Sequence, residues 1–166
     1  MVRDAGGDFE GWYASEHPRL VASLLLVLGD VDLAREAVDE ACLRALVRWP
    51  RVSKMDSPGG YVYRIALNEA WRRGRRARLE QRILARHRVE PVVPDSAGDA
   101  WELVRGLAPR QRTAVVLRYV ADLTEADIAL IMGVSRGTVS STLIDARRLI
   151  ARQLDAKQDD VEDRHG

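Results

Sequence analysis

Apolar residues recur at three- and four-residue intervals almost from end to end, and no run alternates convincingly with a period of two. The pattern predicts an all-α protein. A first helix is expected from about Asp8 to Leu28, with Phe9, Trp12, Tyr13, Leu20, Leu24 and Leu28 near one stripe and Pro18 kinking or dividing it. Gly29-Asp30 punctuates, and Asp30 or Asp32 can cap a second helix to about Trp49. That helix turns Leu33, Ala37, Val38, Ala41, Leu43 or Ala45, and Leu46 inward, with Glu36, Asp39, Glu40 and Arg44 outward. Pro50 to Asp56 reads as a loop. Ser57-Pro58 opens a third helix, a capping hydroxyl before a proline at the first helical position, with Tyr61, Val62, Ile65, Ala66 and Ala70 on one side.

Between about Arg88 and Gly98 two prolines stand in a stretch without periodicity, which predicts a flexible linker between two small helical domains. The expected division is 1–87, a linker at 88–98, 99–154, and an acidic tail at 155–166. In the second domain helices are expected at about Asp99–Leu107 and Pro109–Val120, then as two helices joined by a tight turn to about Leu154. The tail, with Asp155, Asp159, Asp160, Glu162 and Asp163, is expected to be disordered.

Composition narrows the class. The longest apolar run, Leu20 to Leu28, is broken by Ser23 and falls short of the roughly 20 residues that span a bilayer. The first residues lack the apolar core of a secretory signal. One cysteine, Cys42, cannot form an internal disulfide, and its bland reading is a small buried hydrophobe. No Cys/His cluster has metal-ligand spacing, no phosphate-cradling glycine loop exists, and no nucleophile has a visible base. A reduced, cytoplasmic protein with no enzymatic activity, no cofactor and no small-molecule substrate is the simplest inference.

Net charge is only +1, so the bulk balance is silent about nucleic acid. The distribution is not. Arg64, Arg72, Arg73, Arg75, Arg76, Arg78, Arg82, Arg86 and Arg88 crowd one stretch against Glu69, Glu80 and Glu90, as a phosphate-facing surface would; a solvated helix face is the bland alternative.

The most informative segment runs from Thr124 to Leu143. Thr124 with Asp127 three residues on has capping-box spacing. Ile128 and Ile131 face inward, and Ala129 is small where two helices must approach closely. Gly133 sits where the chain must turn, Val134 plugs the turn, Ser135 caps the next helix, and Val139 and Leu143 face back inward. This specifies a helix-turn-helix, whose second helix enters the major groove. Arg136, Thr138, Ser140, Ser141 and Thr142 would face the groove, and Arg147 and Arg148 suit phosphates.

Leu107-Ala-Pro-Arg-Gln-Arg-Thr-Ala-Val-Val-Leu-Arg-Tyr, Leu123-Thr-Glu-Ala-Asp-Ile-Ala, Gly133-Val-Ser-Arg-Gly-Thr-Val-Ser-Ser and Ala146-Arg-Arg-Leu together resemble region 4 of extracytoplasmic-function (ECF) bacterial sigma factors. The stretch from Gly29 to Leu46 resembles the region 2 helix that grips the polymerase clamp. Pro58 to Arg73 is similar to the part of region 2 that opens and reads the promoter −10 element. The resemblance spans about residues 8–154 and implies a sigma factor that lends core RNA polymerase promoter recognition. It implies docking on the polymerase β′ clamp and β flap, binding of double-stranded and melted promoter DNA, and an anti-sigma protein that holds the factor inactive; no membrane insertion is implied. Glu36, Asp39, Glu40, Leu43 and Arg44 match the polymerase-docking stretch. Asn68 matches the asparagine of the promoter-reading segment, Arg64, Arg72, Arg73, Arg75 and Arg76 would meet the DNA backbone, and the Val52–Ser57 loop, with Lys54 and Ser57, corresponds to one that captures a flipped base. Trp71 either stacks on a base or fills the core.

The recognition helix departs from the family. Members commonly read Thr-Val-Lys-Ser-Arg-Leu-His-Arg-Ala-Arg, where this chain has Thr138-Val-Ser-Ser-Thr-Leu-Ile-Asp-Ala-Arg, so that basic positions become Ser140, Thr142 and Ile144 and an arginine becomes Asp145. Losing phosphate contacts should weaken binding and flatten its salt dependence. Leu67, where arginine is common, is a smaller departure. Two other functions remain compatible with these residues: a helix-turn-helix regulator acting without polymerase, and a degenerate sigma-like interaction protein with weak promoter binding.

Overall fold

The computed structural model describes residues 9–84, 93 and 95–163, and the chain divides into two units between Pro94 and Asp95. Most of the expected linker, Arg86, Arg88, the start of the first helix at Asp8 and the last three residues lie outside the described residues. The described residues are helical, without strands. No described helix is long and apolar enough to cross a membrane.

In the first unit, α1 (Phe9–Leu28) passes through Pro18 undivided. Proline costs a helix interior about 3 kcal/mol, but Leu20 and the five consecutive residues Ser23–Val27 are buried, and that burial holds the helix together. Gly29, at φ 67°, closes α1 by donating its N–H to the Leu25 carbonyl, and the Asp30 carboxylate then accepts the Leu33 N–H to start α2 (Val31–Val47). The loop expected at Pro50 to Asp56 begins instead as a single helical turn, α3 (Trp49–Val52). Pro50 sits in that first turn, where its missing N–H costs nothing.

The next helix, α4 (Pro58–Leu84), starts as expected, with Ser57 Oγ accepting the Gly60 N–H at 3.0 Å. Helix α2 packs between α1 and α4. Small residues at the contact (Ala34, Ala37, Ala41 and Ala45 on α2, Ala66 and Ala70 on α4) let the backbones approach, and Val38, Val62 and Leu67 fill the space between. Tyr63 is buried and donates its hydroxyl to Ser23 Oγ at 3.0 Å, pinning α4 to α1; burial pushes its phenol up to about 12. Leu46, expected inward, lies exposed, because Ala45 takes the inward position beside it.

The second unit comprises a 3-10 turn (Asp95–Ala97), α5 (Gly98–Val104), α6 (Pro109–Tyr119), α7 (Glu125–Met132) and α8 (Arg136–Asp163). Thr113–Leu117 of α6, Ile128 and Ile131 of α7, and Val139, Leu143 and Ala146 of α8 make its core. The acidic stretch expected to be disordered is helical as far as Asp163: α8 carries no glycine or proline after Gly137, and Gln153 lies against Gly106.

Candidate nucleic-acid interface

The arginines of α4 fall into two groups. At spacings of four, three, four, three and four residues, Arg64, Asn68, Trp71, Arg75, Arg78 and Arg82 form one helical stripe. All are exposed except Trp71, which is half-buried. Arg64 lies over the Tyr61 ring at 5.9 Å, and none of the four arginines forms an ion pair with a described residue.

The second group faces α2. Glu69, whose side chain is only 4% exposed, accepts hydrogen bonds from Arg72 (2.6 Å) and Arg73 (2.8 Å), with Arg44 of α2 at 3.6 Å. Arg73 also reaches Glu36 of α2 at 2.7 Å, and Arg76 pairs with Glu80 at 3.1 Å. Bonds from Arg72 and Arg73 outweigh the cost of burial and hold the Glu69 carboxyl down at about 2, so it is ionised at any physiological pH. Of the five arginines expected to meet DNA, Arg64 and Arg75 therefore have no acid partner among the described residues, while Arg72, Arg73 and Arg76 are engaged by carboxylates. The difference arises because the latter lie on the side of α4 turned to α2 or within one turn of an acid.

The five residues matched to polymerase docking lie on α2, and four already hold an internal partner: Glu36 with Arg73, Asp39 with His17 (2.8 Å), and Glu40 with Arg44 (2.8 Å). Leu43 has none. It is 59% exposed and continues into Leu46 and Val47, the latter 83% exposed. Beside them a cleft of about 350 Å³ is lined by Phe9, Tyr13, Asp39, Cys42, Leu43 and Leu46. Apolar side chains thus crowd one exposed face of α2. Cys42 is buried as expected, and burial together with Asp39 pushes its thiol up to about 11, keeping it protonated.

In the turn before α4, Lys54 is exposed, and Ser57 spends an acceptor lone pair on the Gly60 N–H. Ser53, inside the expected Val52–Ser57 loop though not singled out there, has a buried hydroxyl with no partner among the described residues. It also missed Glu69: only its burial reveals it as the hub of the arginine network. Leu67, at 0% exposure, belongs to the core, so its departure from the family's arginine is a packing matter rather than a lost DNA contact.

The helix-turn-helix forms as its sequence specifies. Thr124 Oγ1 accepts the Asp127 N–H at 3.1 Å and donates its proton to the Asp127 carboxylate at 2.8 Å. Gly133 ends α7 in the left-handed region, at φ 66° and ψ 37°. Ser135 Oγ accepts the Thr138 N–H at 3.1 Å. At the start of α8, Arg136, Thr138 and Ser141 are exposed, whereas Ser140 and Thr142 are half-buried at the flanks. Several predicted contacts are occupied within the helix. Thr138 shares a hydrogen bond with Ser135 (2.9 Å), Ser141 donates to the Thr138 carbonyl, and Arg147 donates to that of Leu143. Arg148 pairs with Asp145 at 3.7 Å. Arg136 is exposed and has no partner among the described residues.

A helical unit with an unpaired arginine stripe, followed by a second that carries a helix-turn-helix, defines a two-domain DNA-binding protein. Residues 12–80 match the family model for sigma-70 region 2, and residues 98–150 the model for sigma-70 region 4. The RNA polymerase sigma-E factor of Streptomyces antibioticus is 32% identical over 149 residues, covering 84% of this chain and 82% of the relative. That of Streptomyces coelicolor is 28% identical over 167 residues, covering 95% and 94%. Two solved structures share the fold. The sigma factor RpoE in complex with the anti-sigma factor NepR from Bartonella quintana has a TM-score of 0.76 at 21% identity, over 89% of this chain and 97% of that one. CnrH in complex with the cytosolic domain of CnrY has 0.57 at 20%, over 90% and 91%. The chain belongs to the sigma-70 family of RNA polymerase sigma factors, as an ECF-type member with regions 2 and 4. It is not an enzyme; it directs RNA polymerase to promoters.

Proposed function

We propose that the two units divide promoter recognition as follows. The outward face of α2, led by Leu43, Leu46 and Val47, docks on the polymerase β′ clamp, with Asp39 and Glu40 at its rim. The stripe from Arg64 through Asn68 and Trp71 to Arg75 reads and helps melt the −10 element, and the turn carrying Lys54 and Ser57 receives a flipped base. The second unit packs on the β flap and presents Arg136, Thr138, Ser140, Ser141 and Thr142 to the −35 element, with Arg147 and Arg148 toward the backbone. Glu36 and Arg44 act within the first unit, holding α2 to α4 through Glu69 and Arg73. The observation that carries this reading is the stripe on α4: its arginines lack an acid partner among the described residues, while their neighbours on the same helix have one.

Work in the cytoplasm follows from the location of the polymerase. An anti-sigma partner is supported by the structural relative bound to NepR, and the apolar α2 surface is where competition with polymerase would be most effective.

The test is pull-down and run-off transcription with purified core polymerase on the upstream region of this gene and on a promoter library. Wild-type chain should bind core and initiate. Leu43→Asp, at an exposed position, should lose at least about tenfold in core affinity without a change in Tm, since charge at the centre of an apolar contact costs several kcal/mol. Absence of core binding by the wild type would sink the reading. Binding without initiation on any promoter would favour a sigma-like interaction protein instead.

A further inference from the structure

The outward face of α8 carries an acid to which promoter recognition has so far given no role. Val139, Leu143 and Ala146 turn into the core. On the other side Thr138, Ser141, Asp145 and Arg148, at intervals of three, four and three residues, form an exposed stripe. Asp145 is the tenth residue of the helix and stands two turns beyond Thr138, about 10 Å along the axis at 1.5 Å per residue. It therefore shares the face, and the end of the helix, that would enter the major groove.

The hydroxyls of that stripe are spent within the protein. Thr138 shares its hydroxyl with Ser135 at 2.9 Å, and Ser141 donates to the Thr138 carbonyl at 3.1 Å. The Asp145 carboxylate is not spent. Its ion-pair partner among the described residues, Arg148, stands at 3.7 Å, beyond hydrogen-bond reach, so its acceptor sites stay open. The two side chains are 62% and 71% exposed, and a pair so wet contributes little to stability. Folding of the second unit does not call for an acid here.

Phosphates repel a carboxylate brought into the groove, and only a donor on a base edge offsets that repulsion. The major groove offers two such donors, the amino groups of cytosine and adenine. Adenine's lies between two acceptors, its own N7 and thymine O4, and one of them would face the second carboxylate oxygen. Cytosine's has an acceptor, guanine O6, on one side only. We propose that Asp145 is a specificity-determining residue of the −35 contact and selects a C·G pair by accepting the cytosine 4-amino group, with Arg148 beside it screening the carboxylate from the phosphates. The assignment rests on the −35 reading of the second unit argued above and adds Asp145 to it.

The test uses holoenzyme reconstituted from the full chain and core polymerase, on a promoter recovered by run-off transcription with its upstream element randomised. Wild type should select C·G at one position that Asp145→Ala reads without preference. At that position, T·A in place of C·G should weaken wild-type promoter binding about 5- to 150-fold, the range for one specific base contact, and Asp145→Ala by less than about twofold. Pyrimidin-2-one in place of the cytosine removes only the amino group and should act in the same way. Asp145→Asn, whose amide matches adenine N6 and N7, should move the preference to A·T. Asp145→Arg should bind more tightly at low salt whichever base pair stands there. The same C·G preference in Asp145→Ala as in wild type overturns the proposal. So does a wild-type preference for A·T that Asp145→Ala loses, which would place the carboxylate on the adenine amino group. Tighter binding by Asp145→Ala with every base preference unchanged would make the acid a general repellent of DNA and equally overturn it. A wild-type holoenzyme that initiates without regard to the upstream element overturns the −35 reading itself, and this assignment with it.

Discussion

Replacing Glu69 by glutamine keeps the shape of the side chain and removes only the charge at the centre of the α2–α4 network. The drop of its carboxyl from 4.5 to about 2 sets a ceiling of ~3 kcal/mol on what ionisation contributes, at about 1.4 kcal/mol per unit. That ceiling is not reached. The carboxylate is covered mainly by Arg44, Arg72 and Arg73, whose side chains are 49%, 61% and 37% exposed, so water screens the pairs. A realistic loss is ~1–2 kcal/mol. Because the folded-state value is depressed, the stabilisation is fully present above pH 4.5 and disappears as pH falls toward 2. At pH 3.5 the difference between wild type and Glu69→Gln should have shrunk by at least roughly 40%, the figure for the full shift. Urea denaturation followed by tryptophan fluorescence measures it. Trp12, Trp49 and Trp71 lie in the first unit and only Trp101 in the second, so the signal is weighted to the right unit. An equal loss at pH 7 and pH 3.5 would show that shape, not charge, matters at this position, and would refute the argument. The same variant releases Arg72, whereas Arg73 keeps its pairing with Glu36. Non-specific DNA binding should tighten, and the salt slope should steepen by up to about 0.9 for one added phosphate contact.

Three further outcomes follow from single positions. Gly133→Ala places a Cβ in open space but at φ 66°; left-handed strain of about 1–2 kcal/mol, partly offset by the stiffer unfolded chain, leaves a net loss near 1 kcal/mol in the second unit, read by thermal melting. Gly133→Asn should lose less. Leu67→Arg restores a residue common in the family but buries a charge in the core, and should destabilise the first unit by at least about 4 kcal/mol; a soluble variant with unchanged Tm would mean that α4 can rotate. Asp145→Arg removes the partner of Arg148 and adds a cation to the recognition helix. It should tighten promoter binding at low salt and steepen the salt dependence, and unchanged affinity would place position 145 away from DNA.

Where a feature depends on residues close in sequence, the sequence determined it. The capping hydroxyls of Ser57, Thr124 and Ser135, the left-handed turn at Gly133 and the apolar periodicity of α7 and α8 involve partners within a few residues, and their chemistry is readable from spacing alone. The same local logic misjudged Pro50, which opens a helical turn, and the acidic end of α8, where the absence of breakers outweighs like charge. The arginines of α4 could have been sorted into two stripes by helical period, and Arg64, Asn68, Trp71, Arg75, Arg78 and Arg82 stand at the right intervals. What period could not say is which stripe is free. Arg73 is neutralised by Glu36, thirty-seven positions away, and Glu69 matters because α2 covers it. Charge in a sequence is a count, whereas charge available to a ligand is what remains after tertiary pairing. Only the packing of α2 on α4 decided that remainder, because an ion pair between helices depends on distances that the intervening chain does not encode locally.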